Sequence, residues 1–257
     1  MMLMSRFDPI RKSHYDSVEV ADKISDWLFY GGALFSFAAL FVEKDKYPEA
    51  YNVVLIILGI LVLAFFIIGL TLRVYLIPRA EDKRRQDFFS NACGVNLTHQ
   101  KTDGYYNNNF IDPIQRMAAQ VLENSHFSKS IVLRMVKSER VKISIYIVLW
   151  LVCLLYRRND LGVVLVASQA VFSEQVLAKW IRLEWLRMRF EKTFETVYTL
   201  FQSRPPMEEF NAMALTSVSL YETAKANAAI TLPSKIFDKL NPSLSKEWET
   251  IKAALKI

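Results

Sequence analysis

Residues 53–77 read VVLIILGILVLAFFIIGLTLRVYLI, an apolar run with a single charge, Arg73, near its end. A hydrocarbon core of about 30 Å needs about 20 apolar helical residues to cross it. A soluble core helix seldom stays apolar on every face for so long. Three further apolar stretches follow the same pattern: residues 27–42, 141–156 and 161–177. Each is shorter, and about 16 helical residues reach only ~24 Å, so flanking side chains must snorkel or the bilayer must thin. The pattern predicts four transmembrane helices. For the last two stretches, a re-entrant or buried helical hairpin is the alternative.

The charges set an orientation. Lys and Arg gather before the first stretch (Arg6, Arg11, Lys12, Lys23) and after the second (Arg79, Lys83, Arg84, Arg85). They gather again before the third (Lys129, Arg134, Lys137, Arg140, Lys142) and after the fourth (Lys179, Arg182, Arg187, Arg189, Lys192). The two short connectors hold only Lys44 and Lys46, and Arg157 and Arg158. The positive-inside rule then places both termini and the central insert in the cytosol of a cell bounded by this inner (plasma) membrane. The connectors at residues 43–52 and 157–160 face out.

The polar segments read as helical. Residues 1–26 predict a short cytosolic helix, with Ser13 and Asp16 resembling a capping box in which Asp replaces Glu or Gln. The insert, residues 78–140, is helix-compatible except for a loop at 94–112, GVNLTHQKTDGYYNNNFID, rich in Asn, Asp and Gly. The fourth span should continue as one helix through residues 180–202, since no Pro or Gly intervenes, and stop at Pro205 and Pro206. Two tail helices, 207–229 and 245–257, should follow, punctuated by Pro233 and Pro242. No strand alternation and no internal repeat is visible. The expected fold is an all-α membrane protein divided at 1–26, 27–77, 78–140, 141–177 and 178–257. Its insert and tail form one helical cytosolic module.

Composition fits this mixture: 52% of residues are hydrophobic, yet mean hydropathy is only +0.15. That is too polar for a polytopic transporter and too apolar for a soluble enzyme. The net charge of +6 suits anionic lipid heads or a nucleotide partner. Cys93 and Cys153 stand far apart and form neither a disulfide framework nor a thiolate metal site. His14, His99 and His126 lack metal-ligand spacing, and the glycine-rich phosphate loops and nucleophile elbow are missing. Nothing argues for an enzyme, a metal or a cofactor.

Two groups of residues carry candidate chemistry. In the fourth span Gln169 and Ser173 lie four apart and share a face, which Leu165 and Gly162 continue. Ser168 and Glu174 add further polar groups. Polar groups at this depth need partners or water. The stripe Leu165, Gln169, Ser173 and Glu174 either lines a pore, with Glu174 attracting cations at its mouth, or bonds helices to one another. Four short helices enclose no ion path alone, so a pore requires a symmetric ring of copies. In the insert, Lys83, Arg84, Arg85, His99, Lys101, Tyr105, Tyr106, Asn107, Asn108 and Asn109 combine cations, rings and amides. Such mixtures hold anionic nucleotides. A structured loop whose Asn residues serve turns is the alternative. Trp180 and Trp185 with the basic residues around them read as an interfacial belt or an anion site. Gly31, Gly32 and Ser36 suit close helix packing.

The order of two spans, helical insert, two spans and helical tail resembles the four-transmembrane (S-4TM) pore-forming effectors of bacterial antiphage defence, including Hailong-type membrane effectors. The stretch RAEDKRRQDFF, residues 79–89, is similar to that family's helix of form A…IQE.FD, with Gln86, Asp87, Phe88 and Phe89 at the matching place. The family's L-P-W-N-like element is replaced here by Val95-Asn96-Leu97-Thr98 and then GYYNNN. The resemblance implies a homo-oligomer, a tetramer, whose cytosolic module closes an ion channel until a nucleotide or oligonucleotide signal from a nucleotidyltransferase binds. The departure leaves that signal open: a cyclic dinucleotide, a linear oligonucleotide or another ligand. The competing expectation is a membrane scaffold whose helical module binds another protein.

Overall fold

The computed structural model describes residues 8–106, 108–155 and 161–257. Asn107 and the expected outer tip at 157–160 lie outside the described residues. Six helices account for most of the described chain: α1 (Arg11–Phe41), α2 (Pro48–Cys93), α3 (Pro113–Leu155), α4 (Leu161–Ser203), α5 (Met207–Ala228) and α6 (Ser234–Leu255). No strand occurs among the described residues.

The chain divides into two compact units. Unit 1 takes residues 1–18, 76–135 and 183–257, and unit 2 takes 19–75 and 136–182. Every internal boundary falls inside a helix, so α1 to α4 each contribute to both units.

Three helices, α1, α2 and α4, are long and apolar enough to cross a membrane. Burial supports an apolar surrounding for them. None of the most apolar window of α2 is buried within the chain, and only 6% and 17% of those of α1 and α4 are. Side chains such as Ile56, Val62, Leu63 and Phe66 are more than half exposed. Water penalises such a surface, whereas lipid does not. The third expected stretch behaves differently. It forms the end of α3, and Val141, Ile145, Val148 and Leu155 are exposed. Glu139, Arg140 and Lys142 crowd its entry, so the described uncharged part, residues 143–155, is short for a span.

Within unit 2 the polar side chains find one another. Trp150 Nε1 on α3 donates to Ser168 Oγ on α4 at 2.8 Å. Ser168 thus bonds two helices. Gln175 Nε2 donates to Ser25 Oγ at 3.0 Å, and Lys179 pairs with Asp26 at 3.4 Å. Gly31 packs against Leu61, while Gly32 faces open space.

Unit 1 has the aqueous kind of core. Helix α4 buries Leu183, Leu186, Phe190, Val197 and Leu200 at helical spacing. Helix α5 buries Phe210, Ala214, Val218, Tyr221 and Ala224, and α6 contributes Leu244, Trp248 and Leu255. Such i, i+3, i+4, i+7 stripes give each helix one apolar face.

Three local expectations need correction. The first helix is not capped at Ser13, whose hydroxyl bonds back to Pro9 O from inside the helix. Asp8 does the capping, accepting Arg11 N–H at 3.0 Å, because it precedes the first turn and Ser13 does not. Helix α4 reaches Ser203 and stops before Pro205 as expected, but Ser173 adopts extended backbone (ψ 165°) and interrupts it. The last helix begins at Ser234, just after Pro233, and carries Pro242 inside it. An internal proline costs about 3 kcal/mol, which burying Trp248, Leu244 and Leu255 on one face offsets.

Candidate ligand-binding site

Several segments of unit 1 converge on a cavity of about 180 Å³. The start of α1 brings Asp8, Arg11 and Tyr15; α2 brings Glu81 and Arg84. Tyr105 comes from the loop, Phe127 and Ser128 from α3, and Tyr221 and Lys225 from α5. Helical spacing explains the clustering. Arg11 and Tyr15, and Tyr221 and Lys225, are four apart, while Glu81 and Arg84 are three apart, so each pair shares one face.

The polar groups are largely paired. Arg84 Nη2 donates to Asp8 Oδ2 at 2.7 Å, with side chains only 14% and 16% exposed. Its guanidinium lies 4.8 Å from the Tyr105 ring centre and 5.5 Å from that of Tyr15. Arg84 Nη1 is buried and has no hydrogen-bond partner among the described residues. Burial opposes the Arg84 charge, but Tyr105, Asp8 and Tyr15 more than offset it, so its pKa is raised. Lys225 pairs with Glu81 at 2.7 Å and Glu222 at 3.2 Å. Burial opposes the lysine charge too, and the two carboxylates outweigh it, leaving the pKa raised. Tyr15 OH donates to Glu81 Oε1 at 2.8 Å; burial first, and that carboxylate next, push its pKa up. Ser128 Oγ and Tyr221 OH bond to each other at 3.0 Å. Arg11, on the cavity wall, pairs with Asp238 at 3.1 Å and donates to Ser234 Oγ at 2.9 Å.

Of the ten insert residues singled out from sequence, Arg84 and Tyr105 line this cavity. Tyr106 packs edge-on against Tyr105 and Phe88, and burial raises its pKa. Asn108 is part-buried and Asn109 exposed. Lys83 donates to Gln86, Arg85 pairs with Asp82, and Lys101 bonds Asn96, all local contacts. His99 is exposed. The loop itself is a pinned structure. The Asp87 carboxylate accepts Thr102 N–H at 3.1 Å and Thr102 Oγ1–H at 2.7 Å. Ser90 Oγ accepts Leu97 N–H, and Arg116 donates to Phe110 O.

In unit 2, Leu165, Gln169 and Glu174 are exposed, and the Ser173 hydroxyl is buried with no hydrogen-bond partner among the described residues. Glu174 pairs with Arg73 and, at 3.2 Å, with Arg182. No group of His, Cys, Asp and Glu among the described residues could hold a metal ion.

Sequence reasoning missed Asp8, Arg11, Tyr15, Glu81, Tyr221 and Lys225. The available signal was three pairs of charged and aromatic or charged and charged residues at helical spacing, but only the fold brings the pairs together. No family model, curated protein or solved structure matches the chain.

Proposed function

We propose that the chain is a membrane effector whose copies assemble into an ion-conducting pore, gated by a nucleotide-type signal bound to its helical module. In this reading α1, α2, the end of α3 and α4 are four spans of the inner membrane, with both termini in the cytosol. The resemblance to four-transmembrane effectors of antiphage defence supports it, and depolarisation would be its output.

The observation that carries the reading is the exposed face of α4. Leu165 and Gln169 share that face and are exposed among the described residues, inside a helix apolar enough to span a membrane. A glutamine amide facing lipid costs free energy. Several copies around an axis would turn it to a shared aqueous path. The Arg73–Glu174–Arg182 cluster would stand near the end of that path. A signal opens such a pore only if it binds the open state better than the closed one.

The test is flux from liposomes holding the purified protein, comparing wild type with the Q169L/S173L variant. Flux in the wild type that the folded variant loses supports the pore. Equal behaviour of the two removes the polar stripe from the account and favours a scaffold.

A further inference from the structure

We infer that the unit 1 cavity is a binding site for a small ligand made of one planar ring and one anionic group, and that Asp8 occupies part of that group's place. The inference rests on the proposed function and makes the cavity the seat of one ring and one anionic group of its nucleotide-type signal. Its binding test does not depend on conduction.

The size comes from the cavity itself. At about 180 Å³ it compares with the roughly 150 Å³ engineered cavity that admits benzene, so it holds a single ring and a substituent. The wall supplies ring contacts through Tyr105, Phe127 and Tyr221. The charge preference comes from what is left over. Glu81 is committed to Lys225 and Tyr15, and Arg11 to Asp238 and Ser234. Among the described residues that line the cavity, Arg84 keeps a buried donor, Nη1, without a hydrogen-bond partner. Its other terminal nitrogen holds Asp8 at 2.7 Å. A guanidinium grips a carboxylate or phosphate best through two parallel N–H bonds. A ligand anion can therefore take Nη1 first and both nitrogens once Asp8 yields.

Asp8 also caps α1 by accepting Arg11 N–H. Its displacement from Arg84 would loosen the tie between the start of α1 and α2 within unit 1. The ligand would thus act by competing with an internal carboxylate.

The experiment uses the full-length protein in detergent, with benzoate and orotate as anionic ring probes. Benzamide and uracil are the neutral ring controls, and inorganic phosphate is the ringless anion. Titration calorimetry is expected to show benzoate or orotate binding at least about tenfold more tightly than its neutral counterpart. R84Q should erase that preference. D8N should tighten anion binding several-fold, since it removes the competitor while keeping the residue's size. Should R84Q fail to fold, D8N decides. Equal binding of charged and neutral rings would overturn the inference, as would phosphate binding as well as benzoate, no binding in wild type and D8N, or no gain in D8N.

Discussion

Arg73 on α2 and Glu174 on α4 form an ion pair, and each sits in a widened, π-type helical turn, at Leu72–Leu76 and Glu174–Ala178. Arg182 approaches the same carboxylate at 3.2 Å. One acid therefore stands between two cations at an end of the apolar stretch, and its charge is committed to helix pairing. Widened turns interrupt regular helix bonding and recur where helices bend or move.

The pair is half exposed on both sides, so screening limits its worth. A double-mutant cycle of R73L and E174Q, read by thermal unfolding in detergent, is expected to give a coupling of about 0.5–1 kcal/mol. E174Q alone should cost more than R73L, because it leaves Arg73 and Arg182 together without their acid.

Glu81 and Lys225 in unit 1 are better sheltered, with side chains 20% and 17% exposed. E81Q strands the Lys225 charge against Glu222 alone and should destabilise the protein by about 2 kcal/mol, less than a fully buried pair would lose. The E81L/K225M double variant should recover most of that loss, as an apolar pair needs no desolvated charge. Chemical denaturation curves check both.

His126 lies among Phe127, Phe194 and Trp248. Burial lowers its pKa, and the nearby Lys129 lowers it further; Glu247, 3.7 Å away, pulls the other way. A lowered folded-state value means the unfolded chain binds the proton more tightly. The stabilisation is thus complete above the ordinary value of about 6.5 and is lost as pH falls below it. Wild type should lose more melting temperature between pH 7.5 and pH 5 than H126F does.

The proposed orientation is open to a thiol test. Cys93 is a free, exposed cysteine at the end of α2. A membrane-impermeant maleimide should label it in inside-out vesicles and not in intact spheroplasts. K46C/C93S, with the new thiol in the connector after α1, should show the reverse pattern.

Much of the helical plan was legible in the sequence because it rests on local signals. The apolar run ending near Arg73, the Gly94 stop with its positive φ of 68°, and Pro205 all act within a few residues. Pro242 and Ser173 misled in opposite directions, since a well-buried face carries a helix through a proline and a serine without glycine or proline nearby can still break one. The cavity was less accessible. Arg84 and Tyr105 stood out by composition, but Asp8, Tyr15 and Lys225 look like ordinary surface residues until α1, α2 and α5 are packed. Asp87 was noted only as part of a helix motif, and its carboxylate fastens Thr102 fifteen positions later.

The most direct measurement is ion flux through the purified wild-type protein in liposomes, alone and with each of a panel of cyclic and linear nucleotides. Sealed liposomes without ligand and flux with one class of nucleotide are the expected result. No flux under any condition from folded, oligomeric protein would contradict the pore and turn the search toward protein partners.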